Sequence, residues 1–376
     1  VPDDQGDPAF VPDDQGDPAF VPDGDAQPAG DDGPATPVII TLGHSIRGDV
    51  VWQPSIRSSP HCFIMGIPGQ GKSVTTLRIL NELARQDVPA LVIDFHGQFG
   101  DPQGSYARLT RGSIINAAQG LPFSPFELDA SQQDSDQQQA QSYAIAEIIA
   151  KITGLGLRQQ DDLYQAIRSA YAIRPNPTPA DVLRILERQE QARRGDGVIA
   201  RCRAILEMRL FRPNTSDGRD GPRFIEALRS GMVLDLHELR IEQVQLAAGA
   251  FALRSILRDM FHWGNADRIR LAIVLDEAHR LGNDPSLLKL MKEGRKYGIA
   301  VIIATQSLND IDQDVLSNTG TRILFRSNYP ESQKLSRYIR VQGIDVRERI
   351  EGLGVGQAFV QTPDMPQGMV CQMYRE

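Results

Sequence analysis

Residues 66–73 read Gly-Ile-Pro-Gly-Gln-Gly-Lys-Ser, a complete GxxxxGK(S/T) pattern set between a short apolar run and a helix-forming one. Before it, His61-Cys62-Phe63-Ile64-Met65 is apolar and partly β-forming; after it, Val74, Leu77, Leu80, Leu83 and Ala84 recur at helical spacing. Strand, glycine turn and helix is the context in which this pattern holds phosphate. Gly66, Gly69 and Gly71, with Pro68 and Gln70 among them, let the backbone curl so that successive N–H groups face phosphate oxygens, helped by the positive end of the following helix. Lys72 neutralises the β- and γ-phosphates, Ser73 offers its hydroxyl to Mg²⁺, and the nucleotide-binding set closes on Val74. A nucleotide site using ATP and Mg²⁺ is expected. The plain alternative, a glycine-rich turn with a chance lysine, does not account for the flanks.

The formal charge of −8 is unevenly spread over the 376 residues. Residues 1–35 hold ten aspartates and no Lys, Arg or Glu, which leaves 38 acidic residues against 40 Lys and Arg in the remainder. A near-neutral body is compatible with nucleic acid held in a local basic channel, whereas a uniformly acidic one is a poor polyanion binder. The acidic segment is an internal repeat: Val-Pro-Asp-Asp-Gln-Gly-Asp-Pro-Ala-Phe fills 1–10, recurs at 11–20 and decays over 21–30. Each copy offers little apolar surface, so 1–35 is expected to be an extended, disordered linker.

No apolar stretch approaches the roughly 20 residues that span a bilayer, so a soluble, cytoplasmic protein with no membrane partner is expected. Cys62, Cys202 and Cys371 lie far apart without CxxC spacing, which fits reduced buried thiols, and the six histidines show no metal spacing.

Strands are expected at 61–66, 90–95, 231–236, 270–275, 299–304, 321–326 and 356–361. Their apolar runs are continuous, as in strands buried on both faces, so an α/β fold with a largely parallel sheet follows. Between about 130 and 222 the period becomes helical, with Ala144, Ile145, Ile148, Ile149 and Ile152, then Val182, Leu183, Ile185 and Leu186. The expected division is therefore a linker at 1–35, a first part of the core at 36–129, an inserted helical subdomain at 130–222 and a second part of the core at 223–376. Arg193, Arg194, Arg201, Arg203 and Arg209 give the insert a basic side, which suits DNA and equally a solvated helix face paired with nearby acids.

The strand Arg270-Leu271-Ala272-Ile273-Val274-Leu275 ends in Asp276-Glu277-Ala278-His279. At the carboxyl end of a parallel strand, Asp276 can reach Mg²⁺ through water while Glu277 faces an attacking water. A binding protein needs only the first carboxylate; the second argues for hydrolysis. Solvated acids capping a strand are the plain alternative. The next buried strand, Val301-Ile302-Ile303-Ala304, ends in Thr305-Gln306, where an amide can sense the γ-phosphate or simply close a loop. Arg295, within Lys292-Glu293-Gly294-Arg295-Lys296-Tyr297-Gly298, reads either as a finger reaching a neighbouring subunit's γ-phosphate or as a cation favoured at a helix C-terminus.

Taken together, the phosphate loop, Leu91-Val92-Ile93-Asp94-Phe95-His96-Gly97, Val233-Leu234-Asp235-Leu236, Leu275-Asp276-Glu277-Ala278-His279-Arg280, and Glu293-Gly294-Arg295-Lys296-Tyr297-Gly298 followed by Ala304-Thr305-Gln306 resemble the HerA/FtsK superfamily of motor ATPases. The resemblance covers roughly 38–376 and is strongest to the HerA branch, including HerA-like ATPases of anti-phage and phosphorothioation-linked restriction systems. Conjugation and type IV secretion ATPases are similar at greater distance. The resemblance implies a RecA-like P-loop core forming a hexamer around double-stranded DNA, with ATP at subunit interfaces and a nuclease or defence-system protein as partner. It implies Lys72 and Ser73 as the loop lysine and magnesium hydroxyl, Asp276 and Glu277 as metal and base carboxylates, and Gln306 as sensor. It also implies Arg295 as the trans-acting arginine and Asp94 as a second-shell acid. HerA proteins usually carry an N-terminal β-barrel before the motor; here an acidic linker stands in that place. A transport ATPase of the conjugation or secretion kind, or a nucleotide-gated assembly scaffold, are the alternatives.

Overall fold

Among the described residues, eleven strands form one sheet in the order β2-β1-β11-β10-β9-β3-β8-β7-β4-β6-β5. Its strands are β1 (Ile40–Ser45), β2 (Gly48–Trp52), β3 (Cys62–Met65), β4 (Ala90–Asp94), β5 (Ser113–Asn116), β6 (Met232–Asp235), β7 (Leu271–Leu275), β8 (Ile299–Thr305), β9 (Thr321–Phe325), β10 (Gln357–Thr362) and β11 (Met365–Met373). This computed structural model describes residues 37–375 apart from 111–112, 129–133, 194–196, 209, 212–223, 310 and 340. The acidic repeat, Arg194 and Arg209 lie outside the described residues.

All seven expected strands are present, and those from β9 through β5 in the sheet order are parallel. The other wing departs from the expectation. β10 runs antiparallel to β9, β11 antiparallel to β10, and the β1–β2 hairpin closes the edge antiparallel to β11. β11 contains Pro366 and Gly368, and β1–β2 alternates in burial, so none of them shows the continuous apolar run that marks the parallel centre.

In the centre, successive side chains enter opposite cores. Leu271, Ile273 and Leu275 of β7 join one apolar cluster, while Ala272 and Val274 join the other. The helices are α1 (Lys72–Arg85), α2 (Ser105–Thr110), α3 (Ser135–Thr153), α4 (Leu157–Ile173), α5 (Pro179–Arg193), α6 (Val198–Glu207), α7 (Phe224–Ala227), α8 (Glu242–Met260), α9 (Pro285–Glu293), α10 (Gln313–Asn318), α11 (Glu331–Tyr338) and α12 (Val346–Glu351). α1 covers the second face through Ile79, Leu80 and Leu83, and α8 covers the first through Val244, Ala248 and Phe251.

The four helices α3 to α6 follow one another between β5 and β6. α3 starts where the Asp134 carboxylate accepts the Gln137 N–H and stops at Gly154, in the left-handed region at φ 67°. Ile145, Ile149, Leu163, Ile167, Leu186 and Cys202 of these helices join the same cluster as α8. Arg201 donates to the Gly154 carbonyl at 2.7 Å and Arg203 pairs with Glu207, so both cations are engaged within the helices themselves.

Candidate phosphate-binding and hydrolysis site

β3 ends at Met65 and α1 begins at Lys72, so residues 66–71 form the turn between them. Three glycines there are required, Gly69 among them at φ 76°. A Cβ on Gly66 would sit 2.5 Å from Phe325 Cβ, and Gly71 holds φ 117°, a region closed to most side chains. The Ile67 N–H donates to the Arg326 carbonyl at 2.9 Å, which fixes the turn to the end of β9. α1 has no side-chain cap and no acid in its first turn, leaving its first N–H groups open toward an anion. Lys72 folds over the turn, its Nζ donating to the carbonyls of Gly66 at 2.8 Å and Ile67 at 3.2 Å. Burial lowers the Lys72 pKa, opposed by the charges of Glu277 and Asp276.

β7 and β8 place their carboxyl ends on the same side as the turn. Asp276 and Glu277 follow β7 directly, and Glu277 sits in the left-handed region at φ 56°. A non-glycine residue held there is strained, and such strain gathers at functional sites. Gln306, just after β8, donates its side-chain amide to Glu277 Oε1. The His279 ring nitrogen lies 3.2 Å from Glu277 Oε2, outside hydrogen-bond geometry, and His96 Nδ1 lies 3.6 Å from Asp276 Oδ2. Asp276 Oδ2 and Glu277 Oε2 are buried and accept no hydrogen bond among the described residues.

These surroundings separate the two acids. Burial, with the charges of Asp94 and Glu277 nearby, pushes the Asp276 carboxyl up to about 6. Burial also acts upward on Glu277, but its contacts with His279 and Gln306 outweigh it, and the net pKa lies below the ordinary glutamate value. A carboxylate held ionised beside a second carboxyl of raised pKa is an arrangement that acid–base chemistry on a bound water can use.

Asp94, at the end of β4, lies opposite this pair with a different task. Its carboxylate accepts the N–H groups of His96 at 3.0 Å, Gly97 at 2.8 Å and Phe99 at 2.7 Å, and so shapes the loop that carries His96 to Asp276. Sequence reading passed over His96 and His279. A signal was present: β4, β6 and β7 end in Asp94-Phe95-His96, Asp235-Leu236-His237 and Glu277-Ala278-His279, an acid with a histidine two residues on.

Lys72, Ser73, Asp276, Glu277, Gln306 and Asp94 thus gather at one end of the sheet. Arg295 does not join them. It is exposed in the turn before β8, at the other end of that seven-residue strand, so about 20 Å of strand separates it from its own phosphate loop. At that end lies His61, whose Nε2 pairs with the Met291 carbonyl at 2.9 Å while its Nδ1 accepts the Val301 N–H at 3.0 Å.

No group of three or more His, Cys, Asp or Glu among the described residues is placed to hold a metal alone. Mg²⁺ sites of this kind share their ligands with substrate phosphates, and the unpartnered oxygens of Asp276 and Glu277 suit a metal and its waters.

A parallel sheet with a glycine turn, its lysine, and a paired Asp-Glu at the carboxyl end of a neighbouring strand defines a P-loop ATPase with a RecA-like α/β core. The family described as "Helicase HerA, central domain" matches residues 55–256, more than half of the chain. The chain belongs to that family, within the HerA/FtsK superfamily. Residues 270–349 match a second family, described as "TraM recognition site of TraD and TraG".

Among curated proteins, the probable DNA double-strand break repair helicase HerA of Methanocaldococcus jannaschii is 32% identical over 96 residues, 23% of this chain and 19% of that protein. The Pyrococcus furiosus HerA is 28% identical over 98 residues, 24% and 18% of the two chains. The matched region therefore spans about a fifth of each relative. Among solved structures, VirB4 of Thermoanaerobacter pseudethanolicus superposes with a TM-score of 0.70 at 18% identity, covering 90% of this chain and 96% of VirB4. The bacterial conjugative coupling protein TrwB gives 0.63 at 14% identity, covering 89% and 88%. TrwB in complex with ADP and Mg²⁺ gives 0.61 at 14%, covering 84% and 86%. At these identities the likeness is one of fold. No helix among the described residues is long and apolar enough to cross a membrane.

Proposed function

We propose that this chain is the motor core of a ring-forming, cytoplasmic ATPase, a hexamer that moves on double-stranded DNA within a DNA-processing or anti-phage assembly. The observation that carries the reading is the placement of Arg295. It is exposed at the end of the sheet away from its own phosphate loop, with the base, sensor amide and loop lysine at the other. An arginine finger so placed serves a neighbour's nucleotide, which couples hydrolysis to assembly. The curated relatives are described as DNA double-strand break repair helicases, which favours DNA as the track.

In this mechanism the turn N–H groups and Lys72 bind the β- and γ-phosphates of ATP, exchanging the carbonyls of Gly66 and Ile67 for phosphate oxygens. Ser73 and Asp276 would hold Mg²⁺, which supplies charge neutralisation between the phosphates. Glu277 takes a proton from the attacking water. Gln306, bonded to Glu277, links the position of the base to the end of β8, whose other end continues from the Arg295 turn. Asp94 supports the loop beside Asp276.

A second reading, an ATPase energising conjugation or secretion, is favoured by the fold likeness to VirB4 and TrwB over about nine-tenths of the chain. ATP turnover measured with and without duplex DNA separates the two, with particle images under the same conditions reporting the ring. The translocase reading expects strong stimulation and rings threaded by DNA. Turnover indifferent to DNA would sink it, leaving the transport ATPase or a nucleotide-gated scaffold.

A further inference from the structure

In the sheet order β3-β8-β7-β4, the phosphate loop follows β3 and the paired acids follow β7, so a group carried by the end of β4 meets those acids from the side away from the loop. His96 is such a group. Its Nδ1 lies 3.6 Å from Asp276 Oδ2, its side chain is 44% exposed, and it is close enough to Glu277 to act on that carboxylate's charge. Asp276 Oδ2 and Glu277 Oε2 are the two buried oxygens of the pair that accept no hydrogen bond among the described residues.

The loop that presents this ring is clamped from two sides. On one, the fully buried Asp94 accepts the N–H groups of His96, Gly97 and Phe99. On the other stands the end of β6, where His237 Nδ1 pairs with Asp235 Oδ1 at 2.6 Å and the ring lies against the loop. A Cβ on Gly97 would sit 2.8 Å from His237 Nδ1, and a Cβ on Gly100 would sit 2.9 Å from Asp235 Oδ2. Gly97 also holds φ 71°. An exposed histidine without a task needs no such support, because a solvated loop can pair its N–H groups with water. Here three hydrogen bonds and two close-packed glycines hold one imidazole beside the acids.

In-line displacement puts the attacking water and the leaving oxygen on opposite sides of the γ-phosphorus. The phosphate loop and Lys72 hold the leaving side over β3, so the water enters from the side of β7 and β4, where Glu277 and His96 stand. We infer that His96 is a catalytic residue that hydrogen-bonds the attacking water and, with Glu277, holds it in line, while Asp235 and His237 position the His96 ring through Gly97. In that step the water oxygen bonds to the γ-phosphorus as the bond to the β,γ-bridging oxygen breaks, ADP leaves with the electron pair, and Glu277 takes the water's proton. His96 fixes where the water stands, so its loss falls on cleavage and spares ADP binding. The inference rests on the ATPase reading of the site and adds the second group that holds the water.

The test is single-turnover cleavage of ATP, together with calorimetric titration of ADP in Mg²⁺ with and without aluminium fluoride, which stands in for the phosphoryl group in transfer. A thermal melt checks that each variant is folded. His96→Ala is expected to slow cleavage by about 10²-fold and to lose about tenfold of the tightening that aluminium fluoride gives the wild type, with affinity for ADP alone unchanged. His96→Asn, whose side-chain amide reaches the place of Nδ1, restores most of both. His237→Ala slows cleavage on its own and adds nothing to His96→Ala, because its effect passes through that ring. Cleavage by His96→Ala at the wild-type rate overturns the inference, as does a parallel loss of affinity for ADP alone or an Asn variant no faster than Ala. Losses that add in the double variant overturn the part given to Asp235 and His237. Wild-type protein that binds ATP and never cleaves it instead overturns the ATPase reading beneath, and the inference falls with it.

Discussion

Gln306 donates its side-chain amide to Oε1 of Glu277, joining the ends of two adjacent parallel strands directly beside the phosphate loop. Glu277 also sits at a left-handed backbone position, and the bond is one of the contacts that lower its pKa, so the amide bears on both the placement and the protonation of the proposed base.

Replacing Glu277 with Gln removes the proposed base while keeping its shape. Hydrolysis is expected to fall by about 10²- to 10⁴-fold with ATP still bound, as general-base contributions usually run. Retained radiolabelled ATP with near-normal turnover would remove Glu277 from that role.

Gln306→Ala separates position from charge. Without the amide the Glu277 carboxyl rises from its lowered value. A base must be ionised, so activity disappears as pH falls through its pKa, and raising that pKa moves the acid limb of the rate profile to higher pH. A profile that drops in height without moving would leave Gln306 a purely geometric part.

Lys72→Ala takes away the cation nearest the loop. Nucleotide affinity is expected to weaken by about 10- to 100-fold and turnover to vanish, since hydrogen bonds to charged groups contribute on that scale. Equilibrium binding of a fluorescent ADP analogue measures the first effect, and phosphate release the second.

Arg295→Ala subunits should bind ATP and fail to hydrolyse it, with a loss on the order of 10³-fold or more. Mixed with Lys72→Ala subunits, also inactive alone, they should regain partial activity, because some interfaces then pair an intact loop with an intact arginine. A mixture that exchanges subunits and stays inactive counts against action in trans.

His61 is buried and neutral, bridging the start of β3 to Met291 and Val301, and burial lowers its pKa from 6.5 to about 4. The unfolded chain therefore takes up a proton that the folded one refuses between those values. Stability should decline as pH falls below 6.5 and level off near 4, by about 3 kcal/mol in all. Urea unfolding of wild type and His61→Asn at pH 7.5 and pH 5 checks this: the gap between them should narrow at the lower pH.

Local chemistry made the parallel centre legible in the sequence. A strand buried on both faces needs a continuous apolar run, a phosphate turn needs glycines at set places, and a catalytic carboxylate needs to sit where a strand stops; each leaves a mark within ten residues. Lys72, Asp276, Glu277 and Gln306 were picked out as candidates that way, and the fold brings them to one end of the sheet. β1, β2, β5 and β11 were not, because edge and antiparallel strands bury fewer residues and draw their stability from partners distant in the chain, as Gly43 does from Met373. Tertiary structure alone decided which of these marks meet. It brought Gln306 onto Glu277 and His96 toward Asp276, anchored Gly356 to Gln70, and set Arg295 at the opposite end of β8, since strand order and crossover direction fix distances that spacing along a chain does not encode.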